Sequence, residues 1–396
     1  MKKFKQFAFS VICTSVFIIM FNSVITKRLN KEMDKKDLTW IKHEYNQIIR
    51  DRGGILKDEI AKEKDLILLG SSELSSPVDQ NPINMFPSTK SEYDVSILGR
   101  AYTQSLQHAA MLNSTNNLSE ESKVALIVSM QWFESSDGIA GNNYAVNFSQ
   151  YQFYKMMDSD VISDENKLYY AQRTFQLLKQ TGEYTEERIY AGLYAKDSFI
   201  SDIALTMLKP YYKFKLYLLN IKDKTQSYYL IKNLEEKNQV IDIKSIDWDE
   251  EYRKAEAEGA SKVTNNDINV DDVYYDTYLK ENYDSVKDYW KDVDILQSKE
   301  FKDYKFFLET SKSLNVQPLI ILMPVNGKYY DHIGLNKEKR EAFYNIVQTM
   351  AEDYGFEVLN LQNKEYEKYY LSDVMHLGWK GWLNVNEEIS KYFSEK

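Results

Sequence analysis

Along the chain, apolar and polar positions fall into three regimes. Residues 6–26 form a run without a single charge, rich in Phe, Ile, Val and Met. At ~1.5 Å per helical residue this run is long enough for a ~30 Å hydrocarbon core, and it predicts a transmembrane helix. A cleaved signal peptide is the rival, but residues 21–29 hold no small-x-small cleavage site and the run exceeds a typical signal core. Residues 29–64 are mixed and charged, with Trp40, Tyr45, Ile48 and Ile49 at helical spacing; they predict a helical stalk broken at Gly53 and Gly54.

Short, wholly apolar runs mark the third regime. Leu66, Ile67, Leu68 and Leu69, closed by Gly70, read as a strand buried on both faces. Further strands are predicted over residues 93–98, ending at Gly99, and over 122–130, 317–325 and 356–361; residues 101–113 predict a helix, and helical patterns precede the last two strands. Strands alternating with helices imply a parallel sheet with right-handed crossovers, hence an α/β domain over residues 65–396. Between about 134 and 293 no such strand recurs. That stretch is polar, Tyr-rich and helical in pattern (151–157, 166–178, 186–208, 211–229), too long for an ordinary crossover, and predicts an inserted helical lid or docking subdomain. Tyrosines at helical spacing are read as packing first. Residues 75–89 carry Pro77, Pro82 and Pro87, half the prolines of the protein, which suits a rigid surface loop.

Charge sharpens this picture. The net charge is −10, but positions 1–36 hold eight basic residues against Glu32 and Asp34, so the remainder carries −16. An acidic body is a poor nucleic-acid partner, because phosphate neutralisation dominates that binding. Basic residues flank the apolar run on both sides, so the positive-inside count leaves its orientation open. The one cysteine, Cys13, lies inside that run, which removes disulfides and thiolate metal sites from the rest of the chain. No cofactor or metal site is expected.

The candidate chemistry rests on two distant places. Ser71 and Ser72 follow the first strand, beyond its carboxyl end, where open α/β sheets place ligands; serine there is a candidate nucleophile or a helix cap. Among four histidines, His376 stands three residues after Asp373 near the carboxy terminus. In that spacing a carboxylate can fix one imidazole nitrogen and leave the other to accept a serine proton, or the aspartate can cap a helix starting near Val374.

A Gly-x-Ser after strand one, a Gly after strand two, an amide after strand three and a terminal Asp-x-x-His together resemble the SGNH, or GDSL-like, hydrolases. Within them, Gly70-Ser71-Ser72-Glu73-Leu74, Gln131-Trp132-Phe133, Lys328-Tyr329-Tyr330-Asp331-His332-Ile333-Gly334 and the block from Asp373 to Trp382 closely resemble the DltD family, the D-alanine transfer proteins of teichoic-acid D-alanylation in Gram-positive bacteria. The likeness spans nearly the whole chain. It implies a three-layer α/β/α domain with a mostly parallel five-stranded sheet, a helical insertion, a cytoplasmic tip and anchor over residues 1–28, and a body on the extracellular face. Carried over, Ser72 is the nucleophile, Asp373 and His376 its orienting acid and base, and Gly99 marks a neighbourhood that offers a backbone N–H to an oxyanion. Ser71 replaces the superfamily's Asp. The third-block Asn is missing, and Gln131 stands near its place. Asp331 and His332 are pocket candidates, and Lys328 and Lys380 are candidate contacts for a polyphosphate. The implied activity is D-alanyl transfer to lipoteichoic acid through a serine ester, with a membrane-embedded acyltransferase and the D-alanyl carrier system as partners. An esterase or thioesterase on the same fold, and a non-catalytic adaptor, are the competing readings.

Overall fold

The computed structural model describes residues 2–86, 93–196, 198–237 and 246–394. Five parallel strands form one sheet: β1 (Leu66–Leu69), β2 (Val95–Leu98), β3 (Val124–Val128), β4 (Leu319–Leu322) and β5 (Val358–Asn360), in spatial order β2-β1-β3-β4-β5. All five coincide with predicted runs; β1 matches its run residue for residue, and the other four are shorter than theirs. Side chains of period two separate the sheet's faces. Ile67, Leu69, Leu126, Val128, Ile320 and Leu322 enter one core, and Leu66, Leu68, Ala125, Ile127, Leu319 and Ile321 enter the other. With both faces covered, every residue of β1 and β3 is buried, which is why these strands carry no polar alternation.

The helices, in order, are α1 (Lys2–Met33), α2 (Thr39–His43), α3 (Ile48–Arg52), α4 (Ile55–Lys62), α5 (Pro82–Met85), α6 (Ser105–Asn113), α7 (Gly141–Asn147), α8 (Gln150–Met157), α9 (Asp164–Thr181), α10 (Thr185–Ala195), α11 (Phe199–Ile231), α12 (Trp248–Lys262), α13 (Asp272–Tyr274), α14 (Glu300–Ser313), α15 (Gly327–His332), α16 (Lys337–Asp353) and α17 (Trp379–Ser394). Residues of α6, α14 and α16 share the first core, and those of α12 and α17 the second. The result is a three-layer α/β/α domain. Helix α1 is apolar and long enough to cross a membrane, and its apolar window is almost entirely bare.

Three features differ from the sequence expectation. Residues 29–64 fold against the body instead of standing off it as a stalk. Lys42 pairs with Asp65 at 2.7 Å and with Glu63 at 2.8 Å, His43 Nε2 meets Asp94 at 2.8 Å, and Asp223 of α11 accepts the Gly54 and Ile55 N–H groups at 2.7 and 3.0 Å, capping α4. The break expected near residue 210 is absent. Helix α11 runs through Pro210; α10 ends at Ala195 and α11 begins at Phe199. The insertion also shares the sheet's core, since Phe148, Tyr154, Tyr170 and Tyr212 belong to the same cluster as β1 and β3. Its tyrosines pack on one another, Tyr190 meeting Tyr212 edge-on at 4.2 Å between centroids. The predicted loop 75–89 contains α5, and Pro87 lies outside the described residues.

Candidate functional site

The rim of the sheet at the carboxyl ends of β1, β2 and β3 gathers the site. After Leu69 the chain turns at Gly70, buried Ser71 follows, and Ser72 opens a single helical turn, Ser72–Ser75. Two glycines let β1 and β2 end side by side. Gly99 holds φ +129°, and a Cβ there would collide with the Gly70 carbonyl oxygen. That same oxygen accepts a hydrogen bond from His108 Nε2 of α6 at 2.9 Å. Burial pushes His108 down to about 4, so it is neutral, its Nε2 protonated towards the carbonyl and its buried Nδ1 without a partner among the described residues.

At the far end of the chain, residues 371–377 form a closed loop ahead of α17, its ends joined by an antiparallel bridge between Leu371 and Leu377. The Asp271 N–H bonds the Ser372 carbonyl at 2.8 Å, and the Asn326 N–H bonds the Val374 carbonyl at 3.0 Å. No helix begins at Val374. Asp373 caps the turn itself, its Oδ1 accepting the Met375 and His376 N–H groups at 2.7 Å each, while its Oδ2 takes His376 Nδ1 at 2.7 Å. The other imidazole nitrogen, Nε2, lies 2.9 Å from Ser72 Oγ. A carboxylate on Nδ1 fixes the tautomer that leaves Nε2 as acceptor for the serine proton. Burial works against charge on His376, but the hydrogen bond and charge of Asp373, aided by the charge of Glu73, outweigh it and raise its pKa above the ordinary value.

Glu73 was not anticipated. It is buried, and its Oε1 accepts the Ser71 N–H at 2.6 Å. Burial raises its pKa, against the pull of the Ser71 N–H and of His376. The carboxylate missing from position 71 is thus present beside the serine from position 73. The signal was its place in the run Gly70 to Leu74, where a charged residue next to two apolar cores needs a partner.

Around Ser72 lies a cleft of about 540 Å³, lined by Ser71, Tyr102, Gln131, Trp132, Glu134 and Met375 among others, with no lysine or arginine in its lining. Gln131 Nε2 directs its two N–H groups to Met375 Sδ at 2.6 Å and to Tyr330 Oη at 3.4 Å, so it serves an oxyanion by giving up the weak contact to Tyr330. The Ser72 N–H is at the start of its helical turn, where intrahelical partners are missing. Past Gly99 the donors are engaged: the Arg100 N–H bonds Thr103 Oγ1 at 3.3 Å, and the Ala101 N–H bonds Tyr45 Oη at 2.7 Å. Arg100 itself grips Asn147 and the Val146 carbonyl, tying this loop to α7.

The remaining candidates point elsewhere. Asp331 bonds Arg340 at 2.8 Å and Tyr366 Oη at 2.7 Å, in a cluster with Glu365. His332 stacks on Tyr283 at 4.0 Å and bonds its carbonyl at 2.7 Å. Neither lines the Ser72 cleft, because α15 turns Asp331 towards Arg340 of α16 and His332 towards Tyr283. Lys328 bonds the Asp267 carbonyl at 2.6 Å and Lys380 pairs with Glu367 at 2.8 Å, so neither faces the cleft.

Residues 42–394 match the family model described as DltD protein. Three relatives bear the name Protein DltD. That of Staphylococcus aureus is 27% identical over 95% of this chain and 92% of its own length, that of Bacillus subtilis 26% over 86% of each, and that of Lacticaseibacillus rhamnosus 23% over 86% and 80%.

Proposed function

Since the chain belongs to the DltD family, we propose that it is a serine-dependent acyl transferase, anchored by α1 with its body outside the cell, that moves a D-alanyl group onto lipoteichoic acid. The observation that carries this reading is the unbroken relay from Ser72 Oγ to His376 Nε2 at 2.9 Å and from His376 Nδ1 to Asp373 at 2.7 Å. His376 takes the serine proton as Oγ attacks the activated D-alanyl carbonyl. The oxyanion is held by the Ser72 N–H and Gln131 Nε2. Collapse expels the donor's leaving group, which takes the proton from the imidazolium, and a D-alanyl ester remains on Ser72. A hydroxyl of the polymer then gives its proton to His376 and attacks that ester, and the new ester leaves as Ser72 Oγ is reprotonated.

The lining of the cleft suits this acyl group. Glu134 stands in it with no lysine or arginine among the described lining residues, while Asp137 beside it is paired with Lys299 at 2.7 Å; the acid left over favours a D-alanyl ammonium over a phosphate. The polymer's phosphates would stay at the mouth, where the charge of the acidic body is screened over a Debye length of ~8 Å at physiological salt. A membrane-embedded acyltransferase and the D-alanyl carrier system are the partners this role requires on the donor side.

Treatment of the purified chain with a fluorophosphonate should label Ser72 alone, and labelling should vanish in Ser72→Ala and His376→Ala. In cells, Ser72→Ala at normal protein level should reduce envelope D-alanine ester to background, a loss on the order of 10⁶-fold in turnover. Normal ester content in that variant overturns the serine assignment, and rapid release of free D-alanine from D-alanylated polymer by the native protein would make it a hydrolase.

A further inference from the structure

Helix α11 carries one apolar stripe along its whole length, and only half of it is covered. Ile203, Met207, Phe214, Tyr217, Lys224 and Ile231 succeed one another in steps of three, four or seven and share a face. In the second half that face packs on α1: Asn22 Nδ2 donates to Tyr217 Oη at 3.2 Å, Lys224 Nζ donates to Asn22 Oδ1 and Thr26 Oγ1 at 3.1 Å each, and Leu29, Met33 and Ile231 share a cluster. In the first half it is bare. Met207 is 77% exposed, Ile203 47% and Phe214 50%, with Phe199 and Ile200 beside them at 79% each.

Residue numbers rise together in these contacts, so the two helices run in the same direction. Going backwards along α1 from Thr26 leads into its charge-free run, and going backwards along α11 from Tyr217 leads into the bare stripe. The charged residues of that half, Asp202, Lys209 and Lys213, line a cavity of about 310 Å³ on the adjoining side of the helix. The bare part of the row, Ile203, Met207 and Phe214, holds no charged residue and is continuous with a helix built to cross a membrane, so it is matched by acyl chains and not by water.

We propose that residues 199–214 of α11 are seated among the lipid acyl chains of the leaflet nearest the body, as a second membrane contact beside α1. This rests on the reading of α1 as a membrane-crossing helix. The contact fixes the body's tilt and holds its insertion at the surface, instead of letting the body swing on one anchor.

Because Cys13 is the only cysteine and lies within α1, the two readings can be tested apart. The full chain is reconstituted in phosphatidylcholine and phosphatidylglycerol vesicles with an environment-sensitive thiol fluorophore on native Cys13, or, in a Cys13→Ser background, on Ile203→Cys, Met207→Cys or Tyr289→Cys. Lipids brominated along the acyl chain should quench the labels at 13, 203 and 207, with blue-shifted emission, and leave 289 bright and open to aqueous iodide. Quenching at 13 with 203 and 207 as open to iodide as 289 overturns the second contact while the anchor stands. No quenching at 13 overturns the anchor and this proposal with it.

Discussion

Ser72 sits in a setting that three neighbours define. Gly70 and Gly99 set the turn, and Glu73 sets its charge. A Gly99→Ala chain should lose at least ~2 kcal/mol of stability, since the position combines a left-handed φ with contact on the Gly70 carbonyl; a urea midpoint at the native value would show that the turn tolerates a side chain. The raised pKa of His376 fixes the pH response. The base must be neutral to take the serine proton, so acylation should climb with pH through a value above the ordinary ~6.5 of histidine. For stability the sign is opposite: a raised folded pKa contributes fully below ~6.5 and is lost as pH passes the folded value. In Glu73→Gln the charge that favours the imidazolium is gone, and the acylation limb should move to lower pH. An unmoved limb would leave Glu73 with only the Ser71 N–H to hold.

At the scale of elements, the site is a meeting of three loops, each braced from below. The wall formed by residues 134–140 rests on a buried ion pair: Arg173 of α9 meets Asp303 of α14 at 3.0 Å and gives its other arm to the Asp137 carbonyl at 2.8 Å. Beside them, Glu300 accepts the Ser105 N–H at 3.1 Å at the start of α6. Burial keeps both carboxyls above their usual pKa, and Asp303 is drawn back by Arg173. Removing one partner leaves the other charged and buried, so Asp303→Asn should cost about 3–5 kcal/mol in chemical denaturation and loosen the cleft wall. Full stability in that variant would mean that Glu300 takes over the arginine. Sequence patterning located the helices on either side of this network but not the network, because nothing in local spacing distinguishes a buried Asp303 from the surface acids around it.

The whole molecule joins an apolar helix to an α/β body through α11. Ile25, Leu29 and Met33 of α1 are buried in the body, so the fold does not stop at the charge-free run. A chain beginning at residue 25 should keep the native melting temperature in solution, while one beginning at residue 38 should melt several degrees lower, having lost side chains worth about 1.5–3 kcal/mol each when buried. Equal melting of the two would detach α1 from the body's stability.

By itself the sequence determined what short-range physics writes locally. Five largely apolar runs gave five strands because a parallel sheet covered on both faces favours apolar side chains on both, with Ser96 in β2 and Asn360 in β5 as the polar members; the charge-free run gave α1; and the Asp373–His376 pair was legible because three residues are enough for a carboxylate to reach back to its imidazole. What required the tertiary structure was every pairing across distance: the 2.9 Å approach of Ser72 and His376, 304 residues apart, the return of residues 29–64 onto the body, the turning away of Asp331 and His332, and the cover left off half of α11. Strand order and crossover packing set those contacts, and a local pattern shows which side of an element is apolar without showing what will lie against it.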